Sequence, residues 1–316
     1  MKVFIAGATG VLGRRVVRLL VAKGHTVAGL SRSRQNTAWL SQNGAEPRPG
    51  DLFNAGQMVE LAAGCEAVLH LATAIPKKTP ARPGDWALND RIRREGTQAL
   101  VEAALRNHCR LYVQQSVTFV YGDRQGAWTD EDTPIAADPG SVIQSAVDME
   151  ALVARNVRDN QLPAINLRFG AFYSHGSALT QSIFAAARRG QFPVLDGGGA
   201  YWSQINVDDA ALAVLAAVER YPAGLGQTFN VCDDEPVTYR ALADYIAQEL
   251  GAPRPMALPA WLGRLLIGSG TVGALLASMR CRNQRLKDVL GWRPQYPTFR
   301  EGYRAEIAAW LAAGAA

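Results

Sequence analysis

Residues 2–13 read KVFIAGATGVLG, a short apolar run that leads straight into three glycines, Gly7, Gly10 and Gly13. The next stretch, GRRVVRLLVAKG at 13–24, carries its apolar residues at helical spacing, so the glycines join a strand to a helix. In that context each glycine has a task. One permits the tight turn, one lets the backbone come close to a diphosphate, and one allows the helix to pack against the strand. The helix start then offers unpaired N–H groups to an anion. Gly7, Thr9, Gly10, Val11, Leu12 and Gly13 are therefore read as the cradle for a dinucleotide pyrophosphate.

The second apolar run ends AGLSRSRQ (28–35), where an NAD-specific site would place an acidic residue for the ribose 2′-hydroxyl. Ser31 and Arg32 stand there instead. A guanidinium pairs with a 2′-phosphate through two hydrogen bonds and stays charged, which favours NADP and leaves NAD as the second choice. Arg14 and Arg34 flank the same region.

Further runs, EAVLHLAT, RLYVQQSV and PAINLRFG, alternate with helical patterns such as EGTQALVEAALRNH. That alternation predicts an α/β chain with a parallel sheet covered on both faces, a Rossmann-type doubly wound fold. After residue 170 the rhythm changes to glycine-rich turns and aromatics. The expected division is a dinucleotide-binding domain at 1–170, completed by 204–232, and a smaller C-terminal substrate-binding cap with terminal helices at 171–316.

The chain has 316 residues, a net charge of +5 and no run of like charge, so nucleic acid binding is not indicated. Its four cysteines lack CxxC spacing, which argues against a disulfide framework or a metal site and favours a reducing cytoplasm. The apolar segment from Trp261 to Met279 is broken by Arg264 and four glycines and reads as soluble helices, not a membrane span.

The motifs GATGVLG, GDL (50–52), HLAT (70–73), EGTQALVEAA, VYG (120–122), NVDDAA, FNVCDDEPVT and LGWRP together resemble the short-chain dehydrogenase/reductase superfamily, in its extended branch of epimerases and dehydratases. The resemblance implies that Asp51 and Leu52 contact the adenine and that Leu71, Ala72 and Thr73 line the cofactor. It also implies a small-molecule substrate and leaves a homodimer open. His70 reads as a packed strand-end residue among apolar neighbours.

The resemblance fails at the chemistry. The family uses a tyrosine as acid/base and a lysine four residues later; aligning Ser145 to Glu150 with its SKxxxE puts those positions on Val142 and Ala146. No tyrosine in the chain is followed four residues later by a lysine. The remaining candidates for proton transfer are Ser116 at the fifth strand, Tyr121 in VYG, and His175 in FYSHGS, the last because histidine titrates near neutrality. Lys77 and Lys78 fall on the cleft side, Tyr201 and Trp202 in the cap, and Asp208 and Asp209 read as N-terminal caps of an apolar helix. Three functions are weighed: an atypical NADP-dependent reductase or isomerase of a small carbonyl, alkene or cyclic substrate; a non-catalytic dinucleotide-binding protein that senses redox state or docks on a partner; and a standard nucleotide-sugar epimerase, which the missing tyrosine argues against.

Overall fold

The structure, a computed structural model, describes residues 1–76 and 82–314. Lys77 and Lys78 lie outside the described residues. The apolar runs become strands β1 (Lys2–Ala6), β2 (Thr26–Ser31), β3 (Glu46–Pro49), β4 (Ala67–His70), β5 (Leu111–Val117), β6 (Ala164–Phe169) and β7 (Thr228–Val231). They form one sheet in the order β3-β2-β1-β4-β5-β6-β7, with every neighbouring pair parallel. A parallel sheet covered on both faces accepts strands without polar alternation, and β4 and β6 are buried at every position. β3, with Pro47 and Pro49, sits at an edge, where missing N–H donors cost least.

Helices cover both faces, as the doubly wound reading requires. On one side α1 (Val11–Ala22) packs through Val16, Val17 and Leu20. α2 (Arg34–Gln42) lies on the same side through Leu40, whereas α3 (Ala55–Leu61), α4 (Thr97–Arg106) and α5 (Ser141–Asn160) cover the other and contribute Met58, Leu100 and Val153 to a second core. A five-residue π-helical turn, Ile92–Gly96, leads into α4. The C-terminal part adds α6 (Ala178–Arg188), then α7 (Val207–Glu219), which joins α1 on its face of the sheet, and α8 (Tyr239–Glu249).

The apolar segment noted above folds as two short helices, α9 (Ala260–Ile267) and α10 (Ser269–Leu276), separated by Gly268 at φ +85°. That angle suits glycine because it carries no Cβ. Among the described residues no helix is long and apolar enough to cross a membrane. The chain ends in α11 (Phe299–Ala312), whose Tyr303 and Trp310 share a third core with Tyr173, Phe184 and Ile246.

The strand order places the site. Chain connections run outward from β1 in both directions, to β2 and β3 on one side and to β4 and beyond on the other. This reversal opens a crevice at the C-terminal ends of the strands, where α/β sheets bind ligands.

Candidate cofactor and catalytic site

The cradle begins at Gly7, φ +89°, where a Cβ would lie 2.4 Å from the carbonyl carbon of Leu71. The loop after β4 is thereby pressed against the glycine turn, which brings Leu71, Ala72 and Thr73 beside it. A Cβ at Gly13 would come within 2.0 Å of the Gly7 carbonyl oxygen, so α1 can start this close only with glycine there. Gly10 differs: it is exposed and would meet only Gly7 O, at 3.3 Å. It is also the N-cap of α1, with no side-chain acceptor and no acidic residue in the first turn. The helix terminus thus keeps its positive end for an anion, and these residues fit a dinucleotide diphosphate.

At the ends of β2 and β3 a surface cavity is lined by Ser31, Arg32, Arg34, Thr37 and Asp51, bringing together the residues expected at the adenosine end. Ser31 Oγ lies 3.0 Å from Thr37 Oγ1. The Asp51 carboxylate accepts from Phe53 N at 3.1 Å, while Leu52 is buried against Gly96. Arg32 and Arg34 are exposed and form no ion pair among the described residues, so both cations are available to a ligand. Arg14 is already employed: its Nε donates to Thr9 O at 3.0 Å and its guanidinium lies 4.7 Å from the centre of the Trp39 ring.

Across the crevice, Val142 and Ala146 lie in the first two turns of α5, the first half-buried and the second fully buried. Ser116 and Tyr121 are brought together, in a closed network. Ser116 Oγ donates to Glu150 Oε1 at 2.5 Å. Glu150 pairs with Arg168 at 2.6 Å, both side chains 7% exposed. Arg168 Nη1 donates to the Tyr121 hydroxyl at 2.9 Å, and that hydroxyl donates to Asn230 Oδ1, also at 2.9 Å. Burial pushes the Tyr121 pKa well above its ordinary value, and Arg168 opposes that only in part. His175 stands apart from this network. Its Nδ1 lies 2.5 Å from Glu306 Oε2 on α11, and the neighbouring Ser174 is tied to Arg15 of α1.

The sequence reading needs one correction. The cap of α7 is Asn206, whose side chain accepts from Asp208 N at 2.8 Å. Asp208 pairs with Arg15, and Asp209 accepts the N–H groups of Gln295 and Tyr296 at 2.6 and 3.0 Å. Both aspartates lie within the first helical turn, beyond the capping position. His70 is packed as expected, with burial pulling its pKa down to about 4. In the cap, Trp202 packs at a tilt against Tyr239, ring centres 4.9 Å apart, and donates to Leu275 O.

One residue of the site escaped the sequence reading. Arg93, in the π-helical turn before α4, is 5% exposed, and its Nη1 donates to Ser145 Oγ (3.2 Å) and Val142 O (3.4 Å) at the start of α5. Burial pulls its pKa down to about 10, opposed through space by Asp90. The clue was a basic residue three positions before the glycine of EGTQALVEAA, on the approach to an apolar helix.

A model of the NAD dependent epimerase/dehydratase family matches residues 3–232. A relative from a Streptomyces species, 3-diazoavenalumate denitrifying reductase, is 34% identical over 315 residues, covering 97% of this chain and 100% of its own. The UDP-glucose 4-epimerase of Mycolicibacterium smegmatis is 30% identical over 311 residues, 93% of this chain and 94% of that protein. The solved structure of the human epimerase family protein SDR39U1 (isoform 2) with NADPH shares the fold, with a TM-score of 0.81 at 20% identity over 98% of this chain and 99% of that one.

Proposed function

The chain belongs to the NAD dependent epimerase/dehydratase family, and we propose that within it this protein is an NADP-dependent reductase of a small aromatic electrophile that needs no proton from the enzyme. The observation that carries this reading is an available dinucleotide cradle facing a helix on which Val142 and Ala146 offer no titratable group. When bound, the dinucleotide supplies a hydride. Arg32, with Arg34, pairs with its 2′-phosphate, and the N-terminus of α1 holds its diphosphate. Val142 keeps the adjoining wall small and apolar, with Ala146 buried behind it. Ser116, Glu150, Arg168 and Tyr121 brace the ends of β5 and β6; they act as positioning residues, their polar atoms being engaged with one another.

An epimerase must remove and return a hydroxyl proton, which demands a positioned acid/base. A reductase acting on a cationic electrophile does not. In an aryl diazonium, one hydride enters, the aryl–nitrogen bond breaks and dinitrogen leaves; atoms and charge balance to arene, dinitrogen and oxidised cofactor with no further proton. The full-length likeness to a diazo-compound reductase supports this substrate class. Holding hydride donor and acceptor in register is then the main contribution left to the protein, and it is a large one, about 10⁵ M or more in effective molarity.

The test is NADPH consumption with an aryl diazonium compound beside a panel of ketones, against a protein-free control. One equivalent each of dinitrogen and arene per NADPH, well above the control rate, is expected. Tight NADPH binding without consumption of any compound would instead assign the chain to the sensor class.

A further inference from the structure

Arg93 holds a full positive charge almost out of water, and among the described residues no carboxylate comes within ion-pair distance of it. A buried cation that Asp90 supports only through space, without an ion pair, is costly for folding, which points to a partner outside the folded chain. Its hydrogen bonds give the direction. Nη1 is engaged with Ser145 and Val142, whereas Nε and Nη2 donate to nothing among the described residues. Neither belongs to the fully enclosed unpartnered atoms, so each retains some of the residue's small accessible surface. Nε–H and Nη2–H form the edge of a guanidinium that matches the two oxygens of a carboxylate.

The location narrows the ligand. The turn bearing Arg93 backs the end of β4, where Ile92 O lies 3.4 Å from His70 Nε2, and faces the first turn of α5. This is the β4 and β5 side of the crevice, away from the adenosine cavity at β2 and β3. In the function proposed above, the diphosphate is taken by α1 and the 2′-phosphate by Arg32, so the anion left for Arg93 belongs to the substrate. We infer that Arg93 is a substrate-binding residue whose free guanidinium edge receives a carboxylate, making the substrate an aromatic acid. The inference rests on that reading for where the cofactor lies.

A binding test separates the two. With protein loaded with NADP⁺, calorimetry compares 4-hydroxycinnamate with its methyl ester for wild type, Arg93→Met and Arg93→Lys. The acid is expected to bind wild type about tenfold or more tighter than the ester, the value of one charge-assisted hydrogen-bonded pair. Arg93→Met should erase that preference, and Arg93→Lys should keep part of it. NADPH affinity should stay within about twofold in Arg93→Met, and its melting temperature should hold or rise, because an unpaired buried charge has been removed. A structural arginine would lower the melting temperature on removal.

Equal binding of acid and ester by wild type overturns the inference, and so does a fall in NADPH affinity in Arg93→Met, which would place the guanidinium on the dinucleotide. Acid preference that depends on Arg93, without reduction of any diazonium, would overturn the reductase reading and leave this site standing.

Discussion

Two arginines are buried against the same helix, α5, and they are treated in opposite ways. Arg168 meets Glu150 with three hydrogen bonds, the Tyr121 hydroxyl with a fourth, and the face of the Tyr121 ring at 4.9 Å. Arg93, near the start of the helix, has one hydroxyl and one carbonyl. The first is a closed structural unit: every strong donor finds an acceptor inside the chain. The second is left incomplete, and incompleteness at a ligand crevice is what a binding residue requires before its ligand arrives. Two buried charges of the same kind thus report different roles through their partners, not through their burial.

The sharpest way to break this comparison is to open the closed unit. Glu150→Ala leaves Arg168 buried and unpaired and is expected to cost about 3–5 kcal/mol in denaturant unfolding. The double variant Glu150→Leu with Arg168→Met should recover most of that. A loss below about 1 kcal/mol for the single variant would mean that Arg168 is not the structural partner described here.

Next in size is an acid effect on the Arg93 side. Burial holds the folded-state pKa of His70 near 4, below the ordinary 6.5, with Arg93 adding to the depression. Below pH 6.5 the unfolded chain takes up a proton that the folded chain refuses. Stability from this group is therefore complete above about pH 6.5 and falls as pH drops toward 4, by about 3 kcal/mol in all. His70→Gln should flatten that part of a stability-versus-pH curve, and an unchanged slope would show that His70 is not held neutral by its surroundings.

Arg32 is an exposed guanidinium that forms no ion pair among the described residues. Arg32→Ala should weaken NADPH binding by about 10- to 100-fold, roughly 1.4–2.7 kcal/mol, and leave NADH binding unaltered in calorimetric titration. The smallest expected effect belongs to Tyr121→Phe. Removing one acceptor from Arg168 should cost about 1 kcal/mol of stability and leave NADPH consumption within about twofold, since the hydroxyl is assigned to bracing. A hundredfold loss of consumption would return Tyr121 to proton transfer.

Much of this architecture was legible because it is written in local periods. KVFIAG, EAVLHLAT and PAINLRFG have the mainly apolar character of two-face-buried strands, and the glycines of GATGVLG mark a turn by their chemistry alone. The cavity joining Ser31, Arg32 and Asp51 was foreshadowed by the resemblance, which put Asp51 at the adenine beside the end of the second strand. What stayed hidden depends on partners distant in sequence. Ser116 and Tyr121 were conspicuous as hydroxyls, yet their engagement rests on Glu150, Arg168 and Asn230, which only tertiary packing brings to them. Asp208 and Asp209 looked like caps because acidic residues favour helix starts; Asn206, one residue before the helix, has the extended backbone that capping needs. Arg93 was invisible for the same kind of reason: a basic residue on a helical approach normally reads as solvated, and nothing local says that α5 will cover it.

The reversal of strand order at β1 has a consequence for how such a protein diversifies. Ser31 and Arg32, proposed to choose between dinucleotides, lie at the end of β2 and just after it, whereas Arg93 and the first turn of α5, proposed for the substrate, lie beyond β4 and β5. With no shared contacts, substitutions in the two groups should combine additively. Cofactor preference and substrate range are then separable traits on one scaffold, each open to change without unsettling the other.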